Sequence, residues 1–558
     1  MDKNKNTNVF PHIIPSLKDW PITKFSEDRD GFIQRLIDFT YDKLKNSDHS
    51  PLDLLSKSLY LERKRVKNNA WNVDPADEKA YWSAVTKELE ATKTVSNPEE
   101  EQKKILRRII FRYSEEIVGF FIPKTFKFSR RFLTAFFKRL FNNGWGRAQK
   151  WIWGSKTELQ QKIKVDGHLE EIRSLFNKGT VVIVPTHYSN LDSIMLGYAI
   201  DSNIGIPAFA YGAGLNLLDF EVMAYFINRL GAYRVDRRKK NPIYLETLKS
   251  MASLSLIEGL NHIFFPGGTR SRSGAIEDKL KLGLLNSVID AQRYSILNDK
   301  PQKIFVIPVT LGYHFVLEAG GLIDQHLRVE GREKYVRRSK KGSILKTIWN
   351  FLFSLRRNDS EVYVSIGKPM DVLGNDVDIN GESFDERGNS IDLSKYFSKE
   401  DIPNVDSQRE SVYTKILAKK ILECFKKENM VLSSHLCAYT AFHLIEKDNE
   451  DLDLFDILKI PVGNLSLKKD VFLKQLEKFV SMLKQSEDVK LSDIFESDIE
   501  SIFDDGIKNL GLYHDNKVLI DKNNGYISVS DSRLLHFYRN KLIHNNYILK
   551  KNEKNIHS

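Results

Sequence analysis

Cysteine is almost missing from this chain of 558 residues: only Cys424 and Cys437 occur. Two thiols without the paired short spacings of a zinc site argue against a disulfide framework and against structural zinc. Reduced, mostly buried thiols and no metal site are the expectation. Long apolar runs are missing too. No window holds the ~18 consecutive apolar residues of a membrane-crossing helix. The opening MDKNKNTNVF has neither the apolar core nor the small-residue cleavage site of a secretory signal, which points to the cytoplasm. Acidic residues are too few to balance the basic ones, 74 against 85, and the formal charge of +11 calls for anionic partners.

What is present is enough for folding. With 41% hydrophobic and 11% aromatic residues, burial can offset the conformational entropy lost on folding. The length suggests two to four units at ~150 residues each. Residues 1–160 read as helical, with Phe32, Leu36, Phe39 and Leu44 near helical period. Residues 161–400 change to short β-rich runs separated by helices, an α/β texture in which a central sheet is flanked by helices. Residues 401–558 return to helical patterns, and no internal repeat stands out. The segment LGNDVDINGESFDERGNSIDLSKYF reads as a polar, turn-rich loop before that last region.

Charge is not evenly spread. Between residues 103 and 156 nearly every charged residue is Lys or Arg, and FKFSRRFLTAFFKRLF interleaves Phe132, Phe136 and Phe137 with Arg130, Arg131, Lys138 and Arg139. One reading is a helix lying in the headgroup layer of an anionic membrane; the other is a core helix with solvated cations. A nucleic-acid-binding protein is disfavoured, because the aromatics lie beside apolar helical faces and no recognised binding fold is present.

Four stretches carry candidate chemistry. In VVIVPTHYSNLDSIM a strand ending near Pro185 delivers His187 to a loop, and Ser189 or Asn190 could cap a helix that begins with Leu191 and Asp192. A carboxylate in the first turn can reach back to one imidazole nitrogen and leave the other free to take a proton. In FFPGGTRSRSG, Gly267 and Gly268 permit a tight turn with exposed amides, and Thr269, Arg270, Ser271 and Arg272 add hydroxyl and guanidinium donors suited to phosphate. It is not a Walker loop. GAYRVDRRKK places Arg234, Arg237 and Arg238 after an apolar stretch, as a second phosphate clamp or a solvated charge run. VIPVTLGYHF is a strand whose Pro308 suggests an edge or an irregular end.

In this order the four stretches resemble the motifs of the glycerolipid acyltransferase superfamily: H-x4-D at His187 and Asp192, a G-x-[FI]-x-[IV]-x-R block at 231–237, F-x-E-G-[GT]-R-S at 265–271, and V-P-[VI] at 307–309. LKLGLLN, SSHLCAYTAFHLI and LLHFYRNKLIHN are similar to segments of the glycerol-3-phosphate and dihydroxyacetone-phosphate acyltransferases. The resemblance covers residues 160–550, and the first 160 match no family.

The resemblance implies His187 as general base and Asp192 as its orienting partner. Arg237, Gly268, Thr269, Arg270, Ser271 and Arg272 would bind substrate, with no cofactor beyond an acyl-CoA or acyl carrier protein thioester. It implies a phosphorylated glycerol acceptor and peripheral or monotopic association with the cytoplasmic face of the membrane. Lysophosphatidate is the alternative acceptor, because RVDR is closer to the smaller acyltransferases. One departure stands out: Gly267 occupies the position of the motif glutamate, which also admits an inactive, membrane-bound relative. Glu258 and Glu277 are the nearby carboxylates.

Overall fold

In the computed structural model, a seven-stranded sheet in the order β1-β7-β6-β2-β5-β3-β4 organises the middle of the chain. Its strands are β1 Ile163–Gly167, β2 Gly179–Pro185, β3 Ala210–Gly214, β4 Ala232–Val235, β5 His262–Ile263, β6 Lys303–Tyr313 and β7 Val362–Ile366. The structure describes residues 9–141, 163–215, 221–298, 302–331 and 361–550, apart from positions 72, 401, 513, 515 and 523. Strands β2 to β6 run parallel to one another, whereas β7 is antiparallel to β6. The sheet has helices on both faces and helical regions before and after it, the α/β class that the sequence implies.

Strand β2 shows why its sequence is so apolar. Val181 and Ile183 enter one core with the helices Leu169–Leu175 and Asp192–Ala199, while Val182 and Val184 enter another with Leu282–Leu297 and Ser407–Glu428. A strand covered on both faces has no polar side to show, so alternation gives way to a continuous apolar run. Asn241 caps the helix Pro242–Ile257 through its side chain, Pro242 opens it, and Gly259 follows its end at φ 83°, as these residue types favour at helix ends.

Three sequence expectations need correction. Pro308 lies in the middle of β6, a central strand with β2 on one side and β7 on the other. It is tolerated because β7 ends beside it: β7 pairs only with residues 309–313, and the next segment returns at Met370 opposite Val306. Gly367 N–H still donates to Pro308 O at 2.8 Å, and the missing N–H falls in the break between that bond and the pairing of Val306 with Met370. Second, the polar segment after β7 is not only loop. Asp376–Val377, Ser383–Phe384 and Ser390–Ile391 form a small antiparallel sheet. Third, this segment does repeat. Asp371, Asp378 and Asp385 each accept main-chain N–H groups two and four residues on, and Gly374, Gly381 and Gly388 follow with positive φ. One Asx turn recurs every seven residues.

The N-terminal helices Arg29–Lys45, Pro51–Asn68 and Pro98–Ile117 share a core with Pro242–Ile257, centred on Trp20, Trp82, Tyr113 and Tyr244. The C-terminal helices, led by Ser433–Asp448 and Ser532–Arg539, form another core with Ala319–Gly331 and Tyr188. Both flanks therefore reach the sheet domain. Cys424 and Cys437 are free thiols.

Candidate active site

Because β2, β4, β5 and β6 are parallel, the loops that follow them leave the sheet on one side, where α/β folds bind ligands. His187 follows β2, Arg237 follows β4, the loop 264–273 follows β5 and Glu318 follows β6.

Asp192 opens the helix Asp192–Ala199 and is fully buried. Its Oδ2 accepts from His187 Nδ1 at 2.8 Å and from the main-chain N–H groups of Tyr188 (2.6 Å) and Ser189 (2.9 Å). One carboxylate oxygen thus gathers the whole turn, fixing the ring as it satisfies donors ahead of the helix. The predicted cap, Ser189 or Asn190, is replaced by this arrangement: Leu191 is the capping residue, and Ser189 Oγ accepts only from Leu191 N–H at 3.2 Å. Nδ1 faces Asp192, which leaves Nε2 for substrate. Phe265 packs on the imidazole with ring centroids 4.2 Å apart.

The loop after β5 is joined to the same turn. Ser271 N–H donates to His187 O at 2.7 Å, and Ser271 Oγ donates to Ala275 O at 2.7 Å. Ser271 therefore holds the loop. Gly268 has φ 73° and closes the turn with a bond to Phe265 O. Arg270 stands 3.2 Å from Glu318. Glu318 in turn accepts from Ser189 Oγ and Asn190 N–H, at 3.0 and 3.1 Å. The arginine expected to meet phosphate is thus oriented by a carboxylate that also secures the histidine loop. Thr269 and Arg272 are exposed beside it.

The structure brings His187, Asp192, Gly268, Arg270 and Ser271 together. Arg237 lies at the same edge, but β5 and β3 stand between its strand and β2, a separation of roughly 14 Å at ordinary strand spacing. It is exposed and has no carboxylate partner among the described residues. Three other cations of the run are bonded to protein groups. Arg234 donates to Asn228, Arg238 pairs with Asp236 and Asp74, and the buried Lys239 pairs with Glu116. The run is thus divided, with Arg234, Arg238 and Lys239 bonded to protein groups and Arg237 and Lys240 exposed.

Sequence reasoning missed Glu318 and Lys541 and left Glu277 unassigned. Glu318 had one usable signal, its place just past a buried strand at the edge that carries His187. Lys541 lies within LLHFYRNKLIHN, a segment singled out by resemblance, but only tertiary packing brings it to the site.

Comparison with known proteins bears on the class of domain. Residues 162–312 match the family model described as Acyltransferase. A glycerol-3-phosphate acyltransferase of Aeromonas hydrophila subsp. hydrophila is 25% identical over 398 residues, 71% of this chain and 42% of that protein. One from Pseudomonas putida (strain GB-1) is 28% identical over 225 residues, 40% of this chain and 25% of the relative. One from Shewanella woodyi is 23% identical over 465 residues, 82% of this chain and 49% of the relative. The chain thus spans less than half the length of each. The sheet domain is therefore similar to an acyltransferase domain, and the relatives that share the likeness are glycerol-3-phosphate acyltransferases. The Shewanella match is too long to fit within residues 161–558, so the likeness enters the N-terminal helices that resembled no family by motif.

Proposed function

We propose that this protein moves a fatty acyl group from a thioester to the hydroxyl of glycerol 3-phosphate. The observation that carries the reading is the Nδ1–Oδ2 bond of 2.8 Å between His187 and Asp192, set against an arginine-bearing loop that is bonded to His187 itself. His187 Nε2 takes the acceptor hydroxyl proton as the oxygen attacks the thioester carbonyl. The tetrahedral intermediate collapses, the C–S bond breaks, and the thiolate leaves with the proton returned by the imidazolium. Asp192 holds the ring and balances its charge while the proton resides there. Arg270 meets the acceptor phosphate, and Arg272 and Arg237 are placed for further anionic groups of acceptor or donor.

Association with an anionic membrane surface belongs to the same reading. No helix among the described residues is long and apolar enough to cross a membrane. The helix Pro123–Phe141 divides its duties. Phe126 packs against Trp20 and Phe121, and Arg130 pairs with Asp201, which removes it from the cations expected to face lipid. Phe128 and Phe132 are each 58% exposed, next to exposed Lys124, Lys127 and Arg131, and Phe128 stacks on Phe226. Phe136, Phe137, Lys138 and Arg139 have side chains outside the described residues.

The test is product analysis. Purified protein in detergent, given acyl-CoA or acyl carrier protein thioester, should convert glycerol 3-phosphate to a monoacyl product. A diacyl product from lysophosphatidate alone would move the assignment to the alternative acceptor. No product with either acceptor would favour an impaired relative, the reading that Gly267 admits.

A further inference from the structure

Next to the His187–Asp192 pair lies a second set of ionisable groups that the reaction above leaves unused. Both carboxyl oxygens of Glu277 are buried, and neither makes a well-formed hydrogen bond within the described residues. The group lies against Gly267. A Cβ at position 267 would stand 2.7 Å from Glu277 Oε1, 3.0 Å from its Cγ and 3.1 Å from its Cδ. Any side chain there would displace the carboxyl group. Gly268 needs glycine for its positive φ, but Gly267 does not; space alone explains it.

Burial pushes the Glu277 carboxyl up to about 7, against the opposing pull of main-chain N–H groups at Glu277 and His187 and of positive charge at His187 and Lys541. Lys541 comes from the C-terminal turn Asn540–Asn545. It is 2% exposed, its Nζ lies 2.8 Å from the centroid of the Tyr188 ring, and its carboxylate neighbours are Asp192 and Glu277. The buried Tyr188 hydroxyl faces the same two carboxylates. The C-terminal region is fastened here by other contacts as well. Asn540 Nδ2 donates to Ser273 O at 3.0 Å, and Gly274 leaves no room for a Cβ against Phe537 O.

Burying a carboxyl group and an amine costs more than burying apolar groups of the same volume. Such a pair in a candidate site therefore marks function more readily than stability.

We propose that Glu277 and Lys541 are a positioning pair for the reaction: Glu277 fills the space vacated at Gly267, Lys541 links it to Asp192, and together they hold the His187–Asp192 pair in its reactive geometry. The inference rests on the acyltransferase reading. It makes the C-terminal region part of the site, and it assigns the carboxyl group missing at position 267 to a residue ten positions later.

The experiment is a double-mutant cycle in the full chain, with kcat, acceptor KM and the thermal unfolding midpoint measured for Glu277→Gln, Lys541→Met and the double variant. Each single change should lower kcat by about tenfold or more with acceptor KM within about twofold. The double variant should lose less than the product of the two, because neither partner is left unpaired. Gly267→Ala, which pushes a Cβ into the carboxyl group without removing charge, should lower kcat in the same way and remains readable if a Glu277 variant fails to fold. Wild-type kcat in the single variants, losses that multiply, or a change confined to KM would overturn the pairing. If the wild-type protein acylates no acceptor, the functional reading has failed by itself. The unfolding midpoints then decide: non-additive shifts support the pair, and additive shifts reject it.

Discussion

Two buried ionic clusters lie in this molecule, and they differ in how completely they are satisfied. Where the N-terminal helices meet the sheet domain, Arg65 bonds Glu62 at 2.8 Å, Asp74 at 3.1 Å, and Glu78. Glu62 also accepts from Asn241, Glu78 from Trp82 and Arg112, and Lys239 reaches Glu116. At the candidate site, by contrast, both oxygens of Glu277 and Oδ1 of Asp192 lack a well-formed bond among the described residues. A network with its donors and acceptors matched holds one geometry and resists change, which suits a joint between regions. Groups buried with unmatched atoms are costly to keep, and they persist where a substrate or a proton in transit completes them.

The sharpest way to separate the two clusters is His187→Ala. Transfer should fall by ~10²–10⁴-fold while the unfolding midpoint stays near that of wild type, because His187 sits on a loop. Asp192→Asn should follow, since its oxygen orients the ring and two main-chain donors. Radiolabelled acyl transfer measured beside a thermal melt checks both. Near-normal turnover in a well-folded His187→Ala protein would break the comparison.

Arg65→Ala should show the opposite behaviour. It strands Glu62 and Glu78 in a buried site and should cost about 3–5 kcal/mol of stability, with kcat per folded molecule unchanged. Denaturant unfolding together with active-site titration reads the two effects apart.

A pH titration gives the third contrast. Burial raises the Glu277 carboxyl from its ordinary value of 4.5 to about 7. The native state therefore holds its proton where the unfolded state has lost it. The stability contributed by this group is complete below about 4.5 and declines as pH rises to about 7, by about 3 kcal/mol over that window. The stability difference between wild type and Glu277→Gln should track this slope. A flat difference would show that the carboxyl group is not buried as described.

Smaller effects test the rim of the site. Arg270→Ala should raise the acceptor KM by roughly tenfold, about 1.4 kcal/mol, and Arg270→Lys by less, with glycerol as acceptor little affected. A change confined to the KM for acyl-CoA would move Arg270 to the donor site. Smallest of all, Lys127→Gln and Arg131→Gln should each weaken binding to anionic vesicles by ~1 kcal/mol, with the loss shrinking at high salt. Flotation indifferent to both changes and to Phe128→Ser would leave that helix with a packing role only.

Much of the fold was legible in the sequence because its signals are local. A continuous apolar run marks β2 as a strand covered on both faces, and Asn241 with Pro242 marks a helix start. The seven-residue Asx repeat was equally local, but polar composition hid it within a segment that reads as loop. The site divides in the same way. His187 and Asp192 are five residues apart, so one turn of chain brings them together. Glu318 and Lys541 come to this pair from distant parts of the chain, and no spacing rule relates residues joined only by packing.

The sequence by itself determined the strands, the capped helix, the histidine–aspartate turn and the basic loop beside it, because each depends on a few neighbouring residues. Only the tertiary structure decided which cations are free. Arg238 and Lys239 are consumed by carboxylates of the N-terminal helices, Arg130 by Asp201, and Arg270 is aimed by Glu318. It also decided that the space beside Gly267 is filled by Glu277. Charge and volume are matched between distant segments, and that matching exists only once the chain has folded.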